Sequence, residues 1–308
     1  MSNSSLATGL QNKKGYAFLS LLVLVSLFAW RPLRALSNAV ILHEQNSHIL
    51  LVLPIVLTLL VLDTRGRVIC VQWSIVRGLI VLLLALVLAG ISTLYEQKLG
   101  PSNALSLSIL SWVTAWYGLT ILFYGTELFR SLTFPLAFLV LLVPIPDFVL
   151  SKIIWWLQYG STVATQSLFV VTGVPVAREG FVLLLPTVDI EVAPECSGIR
   201  STMMLVLTTL VLGRLFLRTA RSQCLLFLSV VLIAVIKNAL RIFTLSMLAM
   251  YVDPTWLEGE FHHRYGGSVF FALAILMIMG VLRLLRRSEQ GPPFLTTAAT
   301  ARRDAKAV

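Results

Sequence analysis

Long apolar stretches separated by short basic clusters set the pattern of this 308-residue chain. Continuous, non-alternating runs fall at 16–30, 47–62, 76–94, 105–125, 128–143, 198–217, 222–250 and 266–285. A membrane helix needs about 20 mostly apolar residues, so the pattern predicts about eight transmembrane helices, the first being short and extended at its ends. Backbone polar groups in lipid must be satisfied within their own segment unless a barrel closes. Runs without alternation do not read as barrel strands. The expected fold class is an all-α polytopic membrane protein. One transmembrane domain over 16–287 lies between cytoplasmic tails at 1–15 and 288–308.

Residues 144–197 depart from this span-and-loop rhythm. In PIPD (144–147) the prolines stop the preceding run, and Asp147 is placed to cap a new helix. The following FVLSKIIWWLQYGSTVATQSLFVV carries Trp155, Trp156 and Tyr159. Such aromatics favour the lipid–water boundary, which predicts an interfacial helix. Beyond Gly173 the segment VPVAREGFVLLLPTVDIEVAPE alternates β-branched residues with breaks at Gly180, Pro186 and Pro194. It predicts a short hairpin or extended β segment packed on the outer face.

Composition agrees with the pattern. Hydrophobic residues make up 57% and charged residues 12%, with a mean hydropathy of +0.89. Soluble domains run nearer ~45–50% apolar and ~25% charged, so an ordinary soluble fold is excluded. A net charge of +10 raises nucleic acid as a partner. The basic residues, however, gather between the runs as topology signals do, and no nucleic acid is expected. With the N-terminus inside, Lys13 and Lys14, Arg214, Arg218 and Arg221, and Arg283, Arg286 and Arg287 all face the cytoplasm. The outer loops hold only scattered cations, among them Arg31 and Arg34. Those two also interrupt the approach to a loose cleavage-like site, ALSNA (35–39), so an uncleaved first span is favoured over a signal peptide. Cys70, Cys196 and Cys224 form no CxxC or Cys/His spacing, which argues against a metal site and a disulfide scaffold. No cofactor is expected.

Three polar groups converge on the outer face under this topology. Cys196, in PECSGIRS (194–201), lies at the outer end of the sixth run. Asn238 and Arg241 lie toward the outer end of the seventh, and His262 and His263 lie in the last outer loop. Each has a plain structural reading. A lone cysteine is a small apolar filler. Ser197 could cap a helix, and Arg200 could pair with Glu195 or a lipid phosphate. Arg241 could snorkel to the headgroups, although an ionisable group inside a span costs ~2.5–3.5 kcal/mol on insertion scales and defaults to a functional hypothesis. The functional reading makes the thiolate a nucleophile activated by a helix N-terminus or a cation. A histidine then supplies base and acid, and an arginine stabilises the oxyanion or holds the carbonyl.

The segments FPLAFLVLLVPIPD (134–147), GVPVAREGFVLLLP (173–186), ECSGIRS (195–201), NALRI (238–242) and HRYGGSVFF (263–271) resemble, in order and spacing, the exosortase/archaeosortase family of membrane-embedded cysteine transpeptidases. The resemblance covers roughly residues 125–275. It implies Cys196 as nucleophile, Arg241 as the essential arginine and His263 as the general acid/base. The family pattern sets a glycine four residues after the histidine and an aromatic four after that. His263, Gly267 and Phe271 satisfy it, but His262, Gly266 and Phe270 do so equally. His262, Arg200, Asn238, Ser197 and Gly198 are candidate supporting residues. The implied partners are exported proteins whose C-terminus carries a short motif such as PEP, a transmembrane helix and a basic cluster, together with an amine or lipid-linked acceptor and membrane lipid. The implied location is the cytoplasmic membrane of a bacterium or archaeon, with both termini inside and the site at the outer face. A multi-span transporter or channel, and a non-catalytic component of envelope polysaccharide assembly, are the alternatives. The first is disfavoured because the chain shows no convincing internal repeat.

Overall fold

The computed structural model describes residues 2–42, 46–65, 73–253 and 260–289, with side chains from Gly15 onward and, in the last helix, from Gly267 onward. Two compact units divide it, 1–150 and 151–308.

The first unit holds α1 (Ser2–Phe28), α2 (Trp30–Leu42), α3 (Ile49–Thr64), α4 (Ile75–Leu94), the single turn α5 (Glu96–Leu99), α6 (Pro101–Ser131) and α7 (Thr133–Phe138). A 3-10 turn, Leu139–Leu142, continues α7. Helix α1 starts at Ser2, inside the stretch expected as a tail. The pairing of α4 with α6 organises the unit, and small residues permit it. A Cβ on Gly78 would lie 2.7 Å from the Leu122 Cα, so only glycine allows that approach. Lipid offers no hydrophobic drive between helices, so hydroxyl–carbonyl bonds supplement the packing. Ser111 donates to the Ala85 carbonyl and Ser92 to that of Ala104, each at 2.8 Å. The α1 helix is tied on by the Trp112 indole N–H, which donates to Ser26 Oγ at 3.2 Å.

Helix α8 (Asp147–Val171) starts at the residue expected to cap it. In the second unit, strands β1 (Ala177–Glu179), β2 (Val182–Leu184) and β3 (Asp189–Glu191) form an antiparallel meander. Its register pairs Arg178 with Leu183 and Leu183 with Ile190. The expected extended segment is therefore three short strands. Leu183 is fully buried and packs with Phe169, Val174 and Leu185 against Phe243, Met247 and Met250. A 3-10 turn (Pro194–Ser197) leads into α9 (Ile199–Phe216), followed by α10 (Ala220–Tyr251) and α11 (Glu260–Ser288). These three helices share a core of Leu205, Leu217, Leu226, Val230, Ile233, Ala274, Ile278 and Leu282. Glu289 closes the far end: its carboxylate accepts from the Arg218 and Thr219 backbone N–H groups at 2.8 and 2.9 Å and from the Thr219 hydroxyl at 2.6 Å, at the N-terminus of α10.

The all-α polytopic class holds. Among the described residues, five helices are long and apolar enough to cross a membrane: α4, α6, α9 with its leading turn, α10, and α11 from Gly267. Two bent pairs raise the count to as many as seven spans, one fewer than the expected eight. The difference lies at α3. Its 16 residues, bounded by the buried polar groups His48 and Asp63, reach about 24 Å at 1.5 Å per residue, against a hydrocarbon core of about 30 Å. The run 128–143 is also not a straight span of its own. Helix α6 continues through Ser131 after a break at Gly125, whose φ of 82° no helix interior accepts. The remainder, α7 and its 3-10 turn, meets α8 at 92° across Pro144 and Pro146. The first predicted span bends as well, α1 meeting α2 at 70°.

Candidate active site

The backbone around Cys196 is shaped before any side chain takes part. Pro194 opens the 3-10 turn, in which the Cys196 N–H donates to the Ala193 carbonyl at 2.9 Å. The chain then reverses at Gly198 (φ 75°, ψ 18°), and α9 starts at the next residue. Any L-residue in this left-handed conformation costs about 1–2 kcal/mol, so glycine is the natural occupant. The Gly198 carbonyl accepts from the Thr202 N–H and from the Ser201 and Thr202 hydroxyls, all at 2.9 Å, which seals the first turn of α9. Ser197 does not cap the helix. It is buried, and its hydroxyl has no partner among the described residues.

Helix α10 supplies the facing side chains. The Asn238 amide, 1% exposed, donates to the Cys196 carbonyl at 2.8 Å and to Ser161 Oγ at 3.0 Å. One residue thus joins the nucleophile turn to α8 and α10. Arg241 stands one turn further along and interacts electrostatically with Cys196. Of the residues singled out on this helix, Asn238 reaches the Cys196 main chain, and Arg241 lies one turn beyond it.

Other contacts were missing from the sequence reading. Lys237, 3% exposed, donates its ammonium to Ser201 Oγ. A Cβ on Gly198 would lie 3.3 Å from both the Lys237 Nζ and the Asn238 Oδ1, so the glycine also makes room for α10. On α8, Gln158, Ser161, Thr162 and Thr165 are buried in a stripe at helical spacing. Gln158 donates to the Val192 carbonyl at 2.8 Å and so anchors the strand that runs into the cysteine turn. Two signals could have found these residues. One is an ionisable group in a long apolar run; the other is a polar stripe on a helix that otherwise reads as apolar.

Arg200 is exposed on α9. Cys224 is exposed near the start of α10, and Cys70 lies outside the described residues. His262 and His263 fall in the first turn of α11 by backbone, and their side chains lie outside the described residues.

The arrangement is a thiol on a short turn, with its own carbonyl tied back by an amide, and a guanidinium one helical turn from that amide on α10. Such a group can attack an electrophilic carbon while a fixed cation receives the charge that develops on oxygen. A family model described as transmembrane exosortase matches residues 30–280. No curated protein and no solved structure matches the chain.

Proposed function

The chain belongs to the transmembrane exosortase family, a family of multi-pass membrane cysteine peptidases and transpeptidases, and on that premise we propose that it cleaves C-terminal sorting signals of exported proteins through a Cys196 thioester. The observation that carries this reading is the Asn238 bond to the Cys196 carbonyl, which fixes the cysteine turn against the helix that also bears Arg241.

In the proposed cycle the Cys196 thiolate adds to the scissile carbonyl carbon, and the carbonyl oxygen takes the negative charge. Arg241 stabilises that oxyanion. When the oxyanion collapses, the C–N bond breaks and the departing amine takes a proton, which the family resemblance assigns to His263 with His262 as its rival. The thioester then receives an amine acceptor. The new C–N bond forms as the C–S bond breaks, the acceptor's proton passes to the histidine, and the thiolate is restored. The substrates are exported proteins with a motif, a helix and a basic tail; the site works at the outer face of the cytoplasmic membrane, where substrate and enzyme helices meet side by side.

Cys196→Ala and Cys196→Ser enzymes, purified and given such a substrate in proteoliposomes, test the reading. Both are expected to lose processing, and mass spectrometry of the wild type is expected to trap a Cys196-linked acyl product. Processing by the alanine variant would refute it. The two bent helix pairs are a kind of break that transporters use. An unchanged transport or assembly phenotype in Cys196→Ser, with no substrate cleaved by the wild type, would favour those alternatives. His262→Ala and His263→Ala, compared singly, separate the two histidines; full activity in the second reassigns the proton transfer to His262.

A further inference from the structure

Among the described residues, Lys237 has no carboxylate to answer its charge. From Ser151 to Asp253 the acidic residues are Glu179, Asp189, Glu191, Glu195 and Asp253, and every one is exposed. Lys237 is buried within a 32-residue, largely apolar helix, and among the described residues its hydrogen-bond partner is Ser201. A cation at that depth is costly, so retaining it calls for a use. Its surroundings suggest one. Ser201 lies in the first turn of α9, Gly198 approaches the ammonium closely, and Arg241, one turn along the same face of α10, interacts electrostatically with Lys237 and with Cys196.

We propose that Lys237 is a positioning residue of the Cys196 site, tying the first turn of α9 to α10 through Ser201 and adding a second positive charge beside the one Arg241 presents to the thiol. The inference rests on the cysteine reading above. Ser201 is not a second nucleophile activated by this lysine, because its hydroxyl donates to the Gly198 carbonyl at 2.9 Å and its proton is not directed at the amine. The lysine instead holds that hydroxyl from the other side and fixes the first turn of α9, which Gly198 joins to the cysteine turn.

The test uses the full chain in detergent micelles, with Cys70 and Cys224 replaced by alanine so that Cys196 is the sole thiol. Cys196 is modified with an anionic and a cationic methanethiosulfonate, and the ratio of the two rates reports the local potential. Lys237→Met is expected to lower the anionic-to-cationic ratio by about 5- to 10-fold, the size of one screened unit charge within a helical turn or two. Lys237→Arg is expected to restore the ratio. Removing a buried charge is expected to leave the methionine variant at least as resistant to heat as the parent, while its single-turnover acylation rate falls and substrate affinity holds. An unchanged ratio overturns the proposal. So does a methionine variant that loses thermal stability and activity together without rescue by arginine, since that marks a purely structural lysine. If Cys196→Ala still processes substrate, the nucleophile reading fails on its own account, and the reagent ratio still judges Lys237.

Discussion

Replacing Asn238 with alanine isolates what the amide contributes. The change removes two bonds, to the Cys196 carbonyl at 2.8 Å and to Ser161 Oγ at 3.0 Å. A buried partner left unsatisfied costs about 1–3 kcal/mol. Two effects reduce the total. Ser161 carries a hydroxyl that can rotate toward its own helix, and the Asn238 Oδ1 is already buried without a partner among the described residues, so deleting it removes an existing penalty. Interhelical hydrogen bonds in membrane proteins average only about 0.6 kcal/mol in double-mutant cycles. The net loss expected is about 1–2 kcal/mol, a fall in melting temperature of about 2–5 °C. Activity should suffer more. The amide ties down the Cys196 peptide unit, and in the proposed cycle a misplacement of about 1 Å can cost about 100-fold in rate. Tryptophan-monitored unfolding and single-turnover acylation, both in micelles, measure the two quantities. Asn238→Asp keeps the shape but not the donors, so it should fall with alanine. A variant that loses stability yet acylates at the wild-type rate would refute the positioning argument.

Gly198→Ala is expected to lose about 2–3 kcal/mol, because a left-handed φ of 75° costs about 1–2 and the new Cβ meets Asn238 and Lys237 at 3.3 Å. Thermal unfolding and acylation should both report it, and a neutral result would mean the turn can relax. The Glu289 carboxylate gives a pH signature. Burial raises it, but hydrogen bonds from the Thr219 hydroxyl, the Arg218 and Thr219 backbone and Ser222 outweigh that and hold it at about 2, against an ordinary 4.5. Since the folded value lies below the unfolded one, its contribution is complete above about pH 4.5 and fades as pH falls toward 2. Glu289→Gln is expected to lower stability by only about 0.5–1 kcal/mol at pH 7, a figure discounted for solvent screening. The gap from the parent should narrow in unfolding curves taken at pH 3 and close only near pH 2.

The long apolar runs were legible wherever a helix is long and uninterrupted, as in α4, α9, α10 and α11. They misled around 125–143. The runs part at 125–128 by side-chain polarity, but the helix carries on past Glu127 and Arg130 to Ser131, and its break is set instead by the positive φ of Gly125. At the site, Cys196 and Arg241 stood out as rare chemistry in apolar surroundings. The Asn238 bond to Cys196 did not, because it joins residues 42 apart whose meeting depends on how α9 packs on α10. The polar stripe on α8 was hidden by its neighbours. Trp155, Trp156 and Tyr159 drew the eye to the exposed face, while Gln158, Ser161, Thr162 and Thr165 formed the buried one. In lipid the usual inside-out rule weakens, and polar groups seek the protein interior.

Both hydrogen bonds that orient residue 196 involve its main chain: its N–H reaches Ala193 and its carbonyl receives Asn238. Neither involves sulfur. The cradle therefore holds whatever side chain occupies the position, and the chemistry of the warhead is separable from the architecture that aims it. A hydroxyl, a selenol or an unnatural electrophile installed at this one position would inherit the same main-chain hold, so side chains of differing chemistry can be compared there on one unchanged fold.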